Sequence, residues 1–163
     1  MPQDSLHTAV LSLGSNIEPA ANLKSAVHLL QNSGQIDAVA STWETGAFGS
    51  SGPNFLNTVV IFRSGHTYGA LKQQVLRPIE NRLGRVRVAD KNAPRTIDLD
   101  ILIFDGEVLD PELWERLYIA LPAAELLPDL LNPLTGRTLL QTAGELQSAG
   151  CAVRRPDLHM PDA

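Results

Sequence analysis

Four strand-like segments and two helical ones, in the order strand, helix, strand, strand, helix, strand, predict an α+β fold: a ferredoxin-like α/β sandwich with an antiparallel sheet and additional C-terminal helices. A doubly wound sheet would need more alternation of strand and helix than the sequence offers. The 163 residues suit a single domain over 1–163 with a real hydrophobic core, and no internal repeat or low-complexity tract divides them.

Residues 9–14, AVLSLG, supply the first strand. The helix that follows accepts Pro19 in its first turn, repeats Leu23, Ala26, Val27 and Leu30 at helical spacing, and stops near Gly34. Two strands are expected at 37–45 and 54–65, where β-branched and aromatic residues concentrate, joined by the glycine-rich loop GAFGSSGP. A second helix is expected at 67–83, with Leu71, Val75, Ile79 and Leu83 on one stripe. Pro78 contradicts it locally, because proline removes a helical hydrogen bond and should bend or interrupt the helix. TIDLDILIF at 96–104 is the last clear strand. Short helical pieces follow, then a helix in GRTLLQTAGELQS, and the tail 154–163, with two prolines and mixed charge, reads as disordered.

Composition narrows the functional classes. No apolar run approaches the roughly 18 residues of a membrane span, and the N-terminus lacks a basic start and apolar core, so a cytoplasmic protein without membrane partners is expected. The single cysteine, Cys151, excludes an internal disulfide framework and a Cys-rich zinc site. A net charge of −5 disfavours broad binding to nucleic acid. Against that balance, Arg77, Arg82, Arg85, Arg87, Lys91 and Arg95 gather directly upstream of two acids, either as a solvated helix end and loop or as a phosphate site.

Those acids are Asp98 and Asp100. Successive side chains on a strand alternate faces, so the two project together about 6–7 Å apart, with Leu102 and Phe104 continuing their face and Ile97, Leu99, Ile101 and Ile103 lining the other. Like charges at that spacing repel and resist desolvation unless cations neutralise them. Arginine forks are one candidate. A hard divalent ion such as Mg²⁺, bound through oxygen and shared with substrate phosphate, is the other. Arginines, an acid pair and a flexible loop suit phosphoryl transfer by positioning and charge neutralisation, while no P-loop or protein-kinase signature is present.

KNAPRTIDLDIL, together with LGSN at 13–16, ET at 44–45, FLN at 55–57, IE at 79–80 and LGRVR at 83–87, in that order, resembles the 6-hydroxymethyl-7,8-dihydropterin pyrophosphokinase family of folate biosynthesis. The resemblance covers about 9–105 well and 115–131 loosely. It implies transfer of pyrophosphate from ATP, the co-substrate, to the pterin hydroxymethyl group with release of AMP. Asp98 and Asp100 would hold two Mg²⁺ ions. Arg85, Arg87, Arg95 and Arg116 would hold phosphates, Glu80 and Ile101 would lie at the nucleoside, and Arg85 and Arg95 would be catalytic beside the two aspartates. Thr45, Ala47, Phe48, Phe55, Asn57 and Tyr118 would form the pterin site, with aromatic faces and amide partners for a flat heterocycle. Gly14, Ser15 and Asn16 match the family but serve the strand-to-helix turn and carry no catalytic assignment.

This chain departs from the family in three places. The stretch from Asp105 to Arg116 is shorter and has no histidine, Asn92 replaces a tryptophan, and Ala47 stands at a proline position. A non-catalytic or altered-specificity pterin- or nucleotide-binding relative therefore stands as the alternative. The expected partners are small molecules, with no nucleic acid and a monomeric state.

Overall fold

The computed structural model describes residues 5–46, 53–85, 89 and 95–161. Its centre is β1 (His7–Ser15), which lies antiparallel between β4 (Phe55–Ser64) and β5 (Asp98–Phe104). Beyond β5 comes β6 (Glu107–Val108); beyond β4 come β2 (Gln35–Val39) and β3 (Trp43–Thr45), and β7 (Ala152–Arg154) extends β3. All pairings are antiparallel, as expected. The strand expected at 37–45 divides into β2 and β3. Across the gap the Ala40 N–H still bonds the Val59 carbonyl (2.9 Å) and Thr58 Oγ1 donates to the Ala40 carbonyl (3.0 Å).

One face of the sheet carries α1 (Pro19–Gln31) and the second helical segment. Leu23, Ala26, Val27 and Leu30 of α1 form one core with Leu11 and Leu13 of β1, Val60 and Phe62 of β4, and Leu71, Val75 and Ile79. Each fully buried leucine contributes about 2 kcal/mol relative to exposure. The other face carries α4 (Leu117–Leu126) and α5 (Leu139–Ala149), whose Ile119, Ala120, Ala123, Leu139 and Ala143 cover Val10, Val59, Leu102 and Ile103. A capping box between Thr138 and Gln141 starts α5.

The second helical segment resolves the conflict over Pro78. It consists of α2 (Tyr68–Ala70), a π-helical stretch (Leu71–Leu76) and α3 (Arg77–Arg82). Within it the Arg77 N–H bonds the Lys72 carbonyl, five residues back. The wider turn arrives just before Pro78, where a regular α-turn would set the proline ring against a carbonyl.

Two expectations need correction. Leu102 is an extra residue in β5: Val10 pairs with Ile103 and Leu11 with Ile101, so alternation shifts by one. Ile103 therefore joins Leu102 in the core under α4 and α5 rather than lining the face of Leu99 and Ile101, while Phe104 packs with the α1-side core, stacked on His7, and does not continue the face of Asp98 and Asp100. The tail expected to be disordered starts inside a strand, since Arg154 pairs with Trp43 and Leu158 and Met160 pack against the first core. Cys151 is exposed. No described helix is long and apolar enough to cross a membrane.

Candidate active site

Register places the predicted side chains on one end of one sheet face. Trp43 of β3 pairs with Asn57 of β4, Asn57 with Gly14 of β1, and Gly14 with Asp98 of β5, a single row across four strands. Thr45 and Phe55 pair in the row beyond it, and Ser12 pairs with Asp100 on the other side. Because alternate residues share a face, Thr45, Phe55, Asn57, Asp98 and Asp100 project together. Gly14 leaves the middle of the row open; a Cβ there would come within 2.6 Å of Asn57 Oδ1.

The charged side of this groove is built around Asp98. Arg85 Nη1 donates to Asp98 Oδ1 (2.6 Å) and Arg95 Nη1 to Asp98 Oδ2 (2.9 Å), so both carboxylate oxygens meet a guanidinium. Arg85 also donates to Glu80 Oε2 at 2.5 Å. Glu80 turns inward from α3, is buried, and accepts the Leu99 N–H at 3.2 Å as well as pairing with Arg85. Burial works against the Arg85 charge, but Asp98 and Glu80 outweigh it and hold the guanidinium above its ordinary range.

Asp100 has a different environment. Its side chain is exposed, yet neighbouring parts of the chain displace some of its water. That desolvation, reinforced by the negative charges of Asp98, Asp110 and Glu80 and opposed by Arg85, pushes its carboxyl up to about 7. Among the described residues no group of three or more His, Cys, Asp and Glu is placed to hold a metal ion. Two carboxylates on one face, one of them short of positive charge, fit a hard divalent ion whose remaining positions go to water and phosphate oxygens.

On the β3–β4 side of the groove, Thr45 and Asn57 are buried, and Asn57 Nδ2 donates to Thr45 Oγ1 at 3.4 Å. The Arg95 guanidinium lies 5.9 Å from the centre of the Phe55 ring, linking the two halves of the groove. Tyr118, in the first turn of α4, is half-buried. Burial raises its hydroxyl pKa first, Glu112 and Asp98 push the same way, and Arg116 and Arg95 oppose them, which sets Tyr118 within electrostatic reach of Asp98. Arg116 precedes α4 as its N-cap residue, its Nε 3.7 Å from Glu112 Oε1.

Not every predicted residue is brought to the groove. The Ile101 side chain is buried in the α1-side core, on the face opposite Asp98 and Asp100. Ala47, Phe48 and Arg87, with Asn92, lie outside the described residues. Sequence reasoning missed two contributors. Gly14 and Asn16 were assigned to a turn, but Gly14 opens the row between Asn57 and Asp98, and Asn16 is buried with its carboxamide bonded toward the groove. The signal was the match of LGSN to the family motif, but a polar residue next to an apolar strand reads equally well as a turn residue.

Residues 10–128 match the family described as 7,8-dihydro-6-hydroxymethylpterin-pyrophosphokinase. A 2-amino-4-hydroxy-6-hydroxymethyldihydropteridine pyrophosphokinase from Synechocystis is 33% identical over 146 residues, covering 83% of this chain and 74% of the relative. The Bacillus subtilis protein of the same name is 35% identical, covering 72% and 77%. Among solved structures, a wild-type Plasmodium falciparum HPPK-DHPS crystallised with pteroate matches with a TM-score of 0.68 at 15% identity. That match covers 88% of this chain and 43% of the solved one, so the likeness is one of fold and the chain spans less than half of its structural neighbour.

Proposed function

The chain belongs to the 7,8-dihydro-6-hydroxymethylpterin-pyrophosphokinase family, and from that premise we propose that it transfers pyrophosphate from ATP to 6-hydroxymethyl-7,8-dihydropterin in folate biosynthesis, releasing AMP. The observation that carries this reading is the shared face: an acid pair, two arginines and an aromatic–amide pocket meet across four adjacent strands.

Asp98 and Asp100 would hold two Mg²⁺ ions. Bound there, the ions would supply charge neutralisation between phosphate oxygens and the attacking hydroxyl. The rest falls to the chain's own side chains. Phe55 and Tyr118 offer flat faces to a heterocycle, while Thr45 and Asn57 offer hydroxyl and amide partners for its edge. Arg95, anchored on Asp98 and extended over Phe55, spans the distance between ring and phosphates. Arg85, oriented by Glu80, presents a fixed fork to phosphate oxygens. Fixed charges of this kind lose little reorganisation energy as negative charge migrates during transfer.

The test is direct. The protein mixed with ATP, Mg²⁺ and the dihydropterin alcohol should release AMP and form the pyrophosphorylated pterin in equal amounts. Binding of the pterin without AMP above background would favour the non-catalytic alternative, for which the shortened segment between Asp105 and Arg116 is the motivating feature.

A further inference from the structure

We propose that Asn16 is a positioning residue that ties the pterin side and the phosphate side of the groove together, a reading that rests on the function proposed above. β1 ends at Ser15, and the chain turns through 16–18 into α1. An asparagine in such a turn normally serves its own neighbours or faces water. Asn16 does neither, being only 3% exposed. The local needs of the turn are met by other groups: Ser15 Oγ donates to the Ile17 carbonyl (3.1 Å), as does Asn22 Nδ2 (2.6 Å), and Glu18 takes the left-handed conformation.

The Asn16 carboxamide reaches outward in two directions. Oδ1 accepts the Arg95 N–H at 2.7 Å, and Nδ2 donates to the Pro53 carbonyl at 3.4 Å. The Asn16 backbone N–H adds a bond to the Arg95 carbonyl at 3.1 Å, so Arg95 is held at both backbone groups by one residue far away in sequence. Arg95 is the residue whose guanidinium binds Asp98 and overlies Phe55, and Pro53 lies two residues before Phe55. One buried amide thus fixes both the root of the bridging cation and the approach to the aromatic face. An error of about 1 Å in such a root costs on the order of 10²-fold in rate.

Asn16→Ala should lower the turnover number for AMP release by about 10- to 100-fold and raise KM for both substrates. It should also speed hydrogen exchange at the Arg95 amide by at least about tenfold, because that N–H loses its buried acceptor. In an Arg95→Ala background the same substitution should cost less than about threefold more. Turnover within about threefold of wild type, or the full loss recurring without the Arg95 side chain, would overturn the proposal. Should the wild type release no AMP, the pyrophosphokinase reading fails by itself, and exchange at the Arg95 amide still decides: unchanged protection removes the tie. If Asn16→Ala does not fold, Asn16→Asp keeps an acceptor for the Arg95 N–H but no amide donor for Pro53. It should retain Arg95 protection and raise KM for the pterin about fivefold, with KM for ATP within about twofold. Equal shifts in both would reject the two-sided role.

Discussion

The two ends of β5 carry the same residue type in opposite circumstances. At the far end Asp105, at positive φ with Gly106, makes the two-residue turn into β6. It accepts the Thr8 N–H at 2.9 Å and lies 2.6 Å from His7 Nδ1, and these contacts hold its carboxyl below the usual carboxylate range. At the near end Asp98 is covered by two arginines, and Asp100 is left to a crowded groove that pushes its carboxyl up to about 7. An acid satisfied by its own chain closes a hairpin; an acid left unsatisfied is a place for a ligand.

Substitution at the near end should break this contrast most visibly. Asp98→Ala or Asp100→Ala should reduce AMP release by about 10³-fold or more, because on the proposed function each would remove a ligand for the charge-neutralising metal. Turnover near wild type in both would dissolve the contrast. Next in size is Arg95→Ala, expected to cost about 10²-fold, comparable to losing one preorganised transition-state donor. Arg85→Ala should add a folding defect of about 3 kcal/mol in urea denaturation, since it removes the guanidinium paired with the buried Glu80 carboxylate.

The next effect is one of pH. The folded-state pKa of Asp100 lies above its unfolded value, so in the metal-free protein the contribution of this one group to stability should be fully present below about pH 4 and be lost as pH rises through about 7. Asp100→Asn should flatten that slope in urea titrations between pH 5 and 8. Added Mg²⁺ should raise Tm more at pH 8 than at pH 5.

The smallest effects belong to the far end. Asp105→Ala should leave turnover within about twofold and shift stability only slightly, as exposed pairs do. Its lowered pKa puts that contribution above about pH 4, with loss as acid protonates the carboxylate. Two glycines sharpen the comparison further. Gly106→Ala should cost about 1 kcal/mol of stability through its positive φ and spare activity. Gly14→Ala should instead displace the Asn57 amide and weaken pterin binding.

Much of this contrast is legible in the chain itself. Alternation alone puts Asp98 and Asp100 on one face, and spacing alone puts Leu23, Ala26, Val27 and Leu30 into the core. The position of Phe104 is not legible, because 101–104 is apolar throughout and a bulge at Leu102 leaves no polar marker of the shift. β7 escapes for a related reason: three residues pairing with a short strand have no periodicity, and their order comes from β3. Asn16 escapes because its partners, Arg95 and Pro53, are brought to it only by the tertiary fold.

The wide turn at Leu71–Leu76 governs more than the accommodation of Pro78. An α-helix advances about 100° per residue, so trimming one residue from that turn would swing everything after it by roughly a quarter of a revolution. Glu80 would then leave its seat beneath Arg85 and the Leu99 amide. The spare residue works as an indexing notch, and a deletion far from any substrate would be felt as a misaimed arginine.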